Sequence, residues 1–502
     1  MARAIEAAQW NYVGVIIRVG LQFAVQIFLA RKIGPEAFGL GSLGFVAISL
    51  GMLVVEMGLG SALVQAKCLD NETLDIVATR MLISGLGGTG ALWLLSAPVA
   101  AMLGYAELEP VLRAMAPMIV LYTVSVVPLS LLRREMNFFN FQLIQLFSYL
   151  IGFVLVGCTF AVLGYGVWSL VGAYLAQTLV AGIAPLILME RRPRLKFSGR
   201  LPGLQSFGFV IMSTNVLNWS VENLGNVVIG GFFGPRVLGL YTISNNLVRT
   251  PANHLVVSLQ SVVFPASSLV RDNPEKLRRG YLIVVALVML VAAPVFVGLA
   301  AVSDTVIAAL FGDRWQGAGG MLAPLALAMN FHVVMALAGP LLAGAGDPGA
   351  ELKIQFATLA AFIAMLAITA PISAIALAWG VLVVYALRAI LMTAAVAKRV
   401  ELSGSDQWRV LRGPLLLAAF VAVVLWLVDL VEAAAGIAAA LRLASEVTTG
   451  ALIILLSLWI IPRVLIVHEI AWFVVAILAR FPLLKRIALL RRFAAGPVGP
   501  AW

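Results

Sequence analysis

The sequence predicts an all-α protein that crosses a membrane many times. Hydrophobic residues make up 62% of its 502 residues and charged residues only 11%, whereas a soluble protein carries about 25% charged residues. The apolar residues come in runs of about 20, the length that spans a bilayer as an α-helix, and the mean hydropathy is +1.03. Transmembrane β-strands would instead alternate apolar and polar residues over short segments. The predicted fold class is therefore a polytopic α-helical membrane protein with about 14 transmembrane helices.

A motif that occurs twice indicates an internal duplication. The letters GPEAFGL at 34–40 return 200 positions later as GPRVLGL at 234–240. Polar residues in the same register precede each copy: Arg18, Gln22 and Gln26 before the first, and Asn218, Glu222 and Asn226 before the second. Self-similarity of this kind predicts a repeated structural unit. We expect the two halves to be parallel repeats, related by a pseudo-two-fold axis along the membrane normal.

The repeat and the polar segments between apolar runs predict the domain boundaries. The predicted parts are an N-terminal lobe at 1–190, a basic linker at 191–205, a C-terminal lobe at 206–400, two additional helices at 401–467 and an amphipathic basic tail at 468–502. The last span is predicted at about 446–467. Most of the 34 Lys and Arg residues lie in loops on the side of the N-terminus, and such loops stay in the cytoplasm. Both termini are therefore predicted to be cytoplasmic, with the tail on the inner leaflet or, alternatively, forming a fifteenth short span.

Polar residues within the spans are the candidates for a functional site. At about 100° per residue, those of the first, seventh and eighth predicted helices each fall on one side of their helix. A charge at the centre of a span costs about 2.5–3.5 kcal/mol, so these sides should face one another or a water-filled cavity. The candidate substrate-cavity residues are Arg18, Gln22, Gln26, Asn218, Glu222, Asn226, Arg249 and Asn253. Arginine suits phosphate or carboxylate ligands, and Glu222 is the candidate for coupling to H⁺ or Na⁺.

Structural explanations of these residues stay open. Polar side chains also hold membrane helices together, through hydrogen bonds of about 0.6 kcal/mol each. Arg18 lies near enough to the inner end of its helix to extend its guanidinium to the membrane surface. An ion pair between Arg249 and Glu222 is a further alternative. Arg388 is a weaker cavity candidate, and Glu56 is predicted to lie at the membrane interface.

Composition disfavours several other classes of protein. The net charge of +11 is explained by the orientation of the chain in the membrane, so no nucleic acid partner is expected. Cys68 and Cys158 lie far apart and have no metal or redox spacing, so neither a metal site nor a cofactor is expected. A membrane glycosyltransferase, polymerase or ligase would need a large catalytic outer loop. The chain has three histidines and short outer loops, which predicts a protein that is not an enzyme.

Short motifs along most of the chain give it a resemblance to a known family. They are LARKIGP at 29–35 with FG at 38–39, GLG at 58–60 with ALVQ at 62–65, Pro128 with LLRR at 131–134 and Phe138, GYGVWSLV at 164–171, LGLY at 238–241 with Pro251 and FP at 264–265, and GAG at 344–346. In the order and spacing of these motifs the chain resembles the Wzx-type polysaccharide flippases. That group belongs to the multidrug/oligosaccharidyl-lipid/polysaccharide exporter superfamily.

The resemblance implies both an architecture and a function. The architecture is a V-shaped pair of six-helix lobes around a central cavity, with two extra C-terminal helices. The function is to move an undecaprenyl-diphosphate-linked oligosaccharide across the bacterial inner membrane by alternating access, for exopolysaccharide, other surface polysaccharide or lipopolysaccharide biosynthesis. The implied partners are membrane lipid, a polysaccharide polymerase and a chain-length regulator. Arg18 and Arg249 fit the cationic cavity of that family, near pyrophosphate or acidic sugars.

Alternative functions remain open within and outside the superfamily. A cation or drug antiporter would be expected to place an acidic residue in the cavity of the first lobe, where the first helix offers Arg18 and no carboxylate. A peptidoglycan-precursor flippase is not distinguished by its helix count. A membrane glycosyltransferase or polymerase is the alternative from another class, and the short outer loops disfavour it.

Overall fold

All the regular secondary structure of the described residues is helical. The computed structural model describes residues 2–66, 69–189, 191–199, 201, 204–271, 273–345 and 347–460, without the side chains of 2–18, 204, 205, 207, 258, 261, 262, 265 and 348. No β-strand occurs among these residues. In the same part of the chain, 12 helices are long and apolar enough to cross a membrane. The prediction of an all-α polytopic membrane protein is confirmed.

The chain forms two compact units, Met1–Thr242 and Ile243–Trp502. The helices of the first unit are α1 (Ala2–Glu56), α2 (Leu59–Gln65), α3 (Asn71–Leu103), α4 (Leu108–Met115), α5 (Met118–Arg134), α6 (Phe138–Tyr149), which runs through a π-helical stretch (Leu150–Gly157) into α7 (Cys158–Val162), and α8 (Trp168–Leu188). Helix α9 (Leu204–Leu269) continues from the first unit into the second. The remaining helices are α10 (Pro274–Ala301), α11 (Ser303–Phe311), a 3-10 turn (Asp313–Trp315), α12 (Ala318–Gly344), α13 (Pro348–Thr369), α14 (Ala374–Val400), α15 (Gly404–Ala434) and α16 (Ala439–Ile460). The predicted domain boundaries stay predictions, and the predicted tail at 468–502 lies outside the described residues.

The two longest helices, α1 and α9, each contain a break at a glycine. Gly34 in α1 has φ 78° and ψ 172°, and Gly234 in α9 has φ 92° and ψ 168°. Glycine adopts positive φ at little cost, and the proline that follows each glycine lacks an N–H for the helical ladder. Both breaks fall in the duplicated motif, where the sequence predicts that one span ends and the next begins. The count of 12 helices takes each of α1 and α9 as a single helix, whereas the sequence predicts two spans in each. The predicted number of spans stays a prediction.

The two copies of the motif also pack against each other, and each contributes the same contact. A Cβ atom added to Gly39 would overlap the backbone carbonyl of Pro235, and one added to Gly239 would overlap the carbonyl of Pro35. Both glycines are therefore needed for close backbone approach. This reciprocal contact is the structural counterpart of the sequence repeat.

The basic segment after α8 lies along the first turns of α3. The two terminal guanidinium nitrogens of Arg191 donate to the Asp75 carboxylate, at 3.1 and 2.7 Å, and the backbone N–H of Arg194 donates to the same carboxylate at 2.8 Å. The backbone N–H of Lys196 donates to the Thr79 hydroxyl at 2.8 Å. The hydrogen bonds to Asp75 raise the pKa of Arg191 above its ordinary value. The predicted linker is thus fixed to α3 by polar contacts over this stretch.

Side-chain caps set where several helices begin. The residues that cap α3, α6, α10, α13, α14 and α15 are Asp70, Asn137, Asn273, Asp347, Ser373 and Ser403. Each accepts a hydrogen bond from a free N–H of the first turn. At Asp70 the hydrogen bonds from Thr73 hold the pKa of the carboxyl below its ordinary value. Because of such caps, α15 begins at Gly404, several residues before its apolar run.

Candidate functional site

In α1, two of the predicted site residues lie on a partly buried side of the helix. Gln22 and Gln26 are both half-buried, and the amide nitrogen of Gln26 is enclosed without a hydrogen-bond partner among the described residues. A buried polar group left in this way costs about 1–3 kcal/mol unless water or a ligand satisfies it. The Arg18 side chain lies outside the described residues, although its backbone belongs to α1.

In the first part of α9, the repeat places a matching set of polar groups. Asn218 and Glu222 are exposed, and Asn226 is half-buried. The Asn226 amide nitrogen donates to the Asn223 side chain at 3.4 Å, while its side-chain oxygen is enclosed without a described partner. Asn226 and Gln26 hold equivalent positions in the repeat, so the same place in both copies carries an amide with unused hydrogen-bonding capacity. Amide groups of this kind can bind the hydroxyl groups of a sugar.

The second unit contains a polar cluster formed by four helices. The Asn253 side-chain oxygen on α9 lies 3.1 Å from Nε2 of His332 on α12. The His332 ring stacks on Tyr385 of α14, with 5.9 Å between the ring centroids. One turn along α14, Arg388 donates to the Gln355 side chain on α13 at 3.2 Å. These contacts bring residues from α9, α12, α13 and α14 into one group, which we call the C-terminal polar cluster.

The C-terminal polar cluster carries positive charge. Arg249 of α9 also belongs to the cluster: Arg249 and Arg388 are both half-buried, and both lie near enough to His332 for their charges to act on its ring. A guanidinium group binds phosphate or carboxylate oxygens through paired hydrogen bonds. Its attraction for an anion is strengthened where water is scarce. The arrangement therefore favours an anionic group as its ligand.

Sequence reasoning found some members of this cluster and missed others. Arg249 and Asn253 were predicted as site residues, and Arg388 as a weaker candidate. His332 and Gln355 were missed, although an ionisable histidine inside an apolar span is itself a signal of function. Their participation depends on how the helices are rotated against one another, which periodicity within one helix does not reveal.

Other polar residues in these helices have structural contacts. The Gln260 amide on α9 donates to the backbone carbonyl of Ala336 at 2.8 Å, which joins α9 to α12. The Tyr122 hydroxyl on α5 donates to the carboxylate of Glu56, the last residue of α1. In the part of the chain that the structure describes, no three His, Cys, Asp or Glu side chains come together as a group able to hold a metal ion.

Comparison with known proteins gives the family of this chain. A family model described as "Polysaccharide biosynthesis protein" matches residues 28–319, which is more than half of the chain. The chain belongs to this family. The matched region contains both copies of the GP motif, the polar residues of α9 and the start of α12. The resemblance seen in the sequence motifs is confirmed.

Individual proteins are similar to this chain over a longer stretch than the family model matches. The succinoglycan biosynthesis transport protein ExoT of Rhizobium meliloti is 27% identical over 339 residues, which cover 67% of this chain and 68% of ExoT. The teichuronic acid biosynthesis protein TuaB of Bacillus subtilis is 24% identical over 409 residues, which cover 80% of this chain and 83% of TuaB. The solved structure of the lipid II flippase MurJ, in an inward closed conformation, matches with a TM-score of 0.73 at 14% identity, over 89% of this chain and 97% of MurJ. At that identity the likeness to MurJ establishes the fold.

Proposed function

We propose that this protein is a flippase for a lipid-linked oligosaccharide. Its substrate would be an undecaprenyl-diphosphate-linked repeat unit, moved across the bacterial inner membrane by alternating access. The observation that carries the proposal is the C-terminal polar cluster, which holds two half-buried arginines within a helical membrane protein. A diphosphate is the anionic group that such a substrate must bring through the membrane. Membership of a polysaccharide biosynthesis family and the transport role in the name of ExoT support the same function.

The substrate carries two kinds of groups, and the described residues offer partners for both. Arg249, with Asn253 beside it, would bind the diphosphate or acidic sugars. The amide groups of Gln22, Gln26, Asn218 and Asn226 would bind sugar hydroxyls. We extend the proposal to Arg18 as a second cationic group, by its position in the repeat. Transport of this kind needs binding and release, and no covalent step on the substrate.

Deletion of the gene tests the function as a whole. We expect loss of one surface polysaccharide, exopolysaccharide or lipopolysaccharide, and accumulation of lipid-linked repeat units on the cytoplasmic leaflet. A normal amount of every surface polysaccharide in the deletion strain would refute the proposal. Rescue by this gene of a strain depleted of its peptidoglycan-precursor flippase would favour that alternative substrate.

Substitution of Arg249 tests the site. Arg249→Ala should lower the rate of flipping about tenfold or more, because a bound phosphate loses a charged hydrogen bond of about 1.5–3 kcal/mol. Arg236→Ala is the matched control, since Arg236 lies on the same helix but is exposed beside the break. Both variants must be present in the membrane at the wild-type level. If Arg249→Ala lowers only the amount of folded protein, the arginine has a structural role.

Coupling, orientation and partners complete the proposal. We propose Glu222 as a residue that links transport to H⁺ or Na⁺, and Glu222→Gln should then remove the effect of collapsing the ion gradient. Transport that responds to the gradient in this variant as in the wild type would exclude Glu222.

Both termini should be cytoplasmic, which fusions to alkaline phosphatase and to green fluorescent protein would report. A polysaccharide polymerase and a chain-length regulator are the proposed protein partners, to be sought by crosslinking in the membrane.

A further inference from the structure

A second group of charged residues lies at the junction of α11, α15 and α16, apart from the C-terminal polar cluster. Arg442 of α16 forms an ion pair with Asp429 of α15. Arg442 also donates to the Thr305 hydroxyl of α11 at 2.7 Å, and that hydroxyl donates to Asp429 at 2.6 Å. The Asp429 carboxylate is thus held by a guanidinium and a hydroxyl. These contacts identify Asp429 as the ionised member of the group.

Glu446 points into this group from α16, one turn after Arg442. Its side chain is 1% exposed, and neither carboxyl oxygen accepts a hydrogen bond from a donor among the described residues. The Glu446 and Asp429 carboxyl groups nevertheless lie within hydrogen-bonding reach of each other. The other acidic residue nearby, Glu432 of α15, accepts a hydrogen bond from the Ser445 hydroxyl. Of these three carboxyl groups, Glu446 is the one without a donor among the described residues.

Electrostatics decides the protonation of this pair. An ionised carboxylate that is enclosed without a donor pays a large desolvation penalty. Two carboxylates at hydrogen-bonding distance also repel each other, so one of them keeps its proton. Asp429 is stabilised as an anion by Arg442 and Thr305, whereas Glu446 has no such partner. The proton must therefore reside on Glu446, which then donates to Asp429.

We propose that Glu446 and Asp429 form a proton-binding carboxyl pair, which proton-driven transport requires in addition to Glu222. Proton uptake forms one O–H bond on Glu446, and release returns the proton to water and leaves two carboxylates facing Arg442. A sodium ion fits this place poorly, because the guanidinium of Arg442 already occupies the cation position beside Asp429. In the proposed orientation the pair lies near the outer surface, on the side from which protons enter. Its role in coupling rests on the proposed flippase function, whereas its proton binding does not.

Infrared spectroscopy of the purified full chain in lipid nanodiscs tests the proton site without any substrate. At neutral pH we expect a band from a protonated carboxyl group that disappears in Glu446→Gln. The matched control is Glu432→Gln, which removes an acid from the same group and should leave the band in place. Glutamine has the shape of a protonated glutamate, so the fold of the variant should be preserved. A band that persists in Glu446→Gln, or one that sodium chloride displaces while potassium chloride does not, would overturn the proposal.

The coupling role is tested in proteoliposomes by the ratio of flipping rates with and without a proton gradient. Wild type and Glu432→Gln should show a ratio above one, and in Glu446→Gln the ratio should fall to one. An unchanged ratio in Glu446→Gln would overturn the coupling role. Absence of flipping by the wild type would instead count against the proposed function, and the infrared result would still decide the proton site.

Discussion

The contact between the basic segment after α8 and helix α3 depends on the Asp75 carboxylate. Asp75→Ala removes the acceptor of three hydrogen bonds, two from the Arg191 guanidinium and one from the backbone of Arg194. A hydrogen bond to a charged group contributes about 1.5–3 kcal/mol. The Arg191 side chain is 38% exposed, so water replaces much of what it loses. We expect the segment to be held less tightly by about 2 kcal/mol.

Limited proteolysis measures this change directly. Trypsin cleaves after arginine and lysine, and cleavage of a folded segment follows the population of its open form. A loss of about 2 kcal/mol raises that population about 30-fold. The rate at which trypsin separates the chain at 191–196, in detergent, should rise by that factor in Asp75→Ala. The midpoint of thermal unfolding should change little, because the segment opens locally.

Glu72→Ala provides the control in the same helix. Glu72 pairs with the Lys196 ammonium at 2.8 Å, but the two side chains are 56% and 40% exposed. An exposed pair contributes about 0.2–1 kcal/mol, so cleavage should rise less than about fivefold. If Asp75→Ala is cleaved no faster than Glu72→Ala, the segment opens without breaking its contacts to Asp75 and the reasoning is wrong.

Two further substitutions test contacts within the first unit. Gly239→Ala should lower the free energy of unfolding by about 1–3 kcal/mol, because the new methyl group overlaps the Pro35 carbonyl and the backbone must shift. Gly87→Ala is its control, since a Cβ there meets nothing within 4 Å, and a similar loss in both variants would refute this explanation. Tyr122→Phe should cost about 1–2 kcal/mol, because the Glu56 carboxylate loses its phenol donor, and thermal unfolding in detergent would show a lower midpoint. An unchanged midpoint would mean that water replaces the phenol at no cost.

The sequence predicted the features that depend on neighbours along the chain. Apolar runs located the spans because each is long enough to cross a bilayer. Gly-Pro pairs located the breaks because glycine readily adopts a positive φ, as Gly34 and Gly234 do. The duplicated motif predicted a repeated unit, and the two breaks have nearly the same backbone geometry.

Contacts between residues that are distant in sequence could not be predicted from the sequence pattern. Asn253 and His332 are 79 positions apart, and Asp75 and Arg191 are 116 apart. Which of their side chains meet depends on the rotation and depth of each helix in its bundle. Glu446 shows a similar effect at a helix end. The last span was predicted to begin at about residue 446, whereas α16 begins at Ala439, so Glu446 lies inside this helix.

The reciprocal contact of the two glycine motifs limits how either copy can change. Gly39 of the first copy meets Pro235 of the second, and Gly239 of the second copy meets Pro35 of the first. This is the pattern of an isologous interface, in which two copies of one unit meet about a two-fold axis. A side chain gained at either glycine would have to be accommodated by the proline of the other copy, so a change in one copy requires a compensating change in the other.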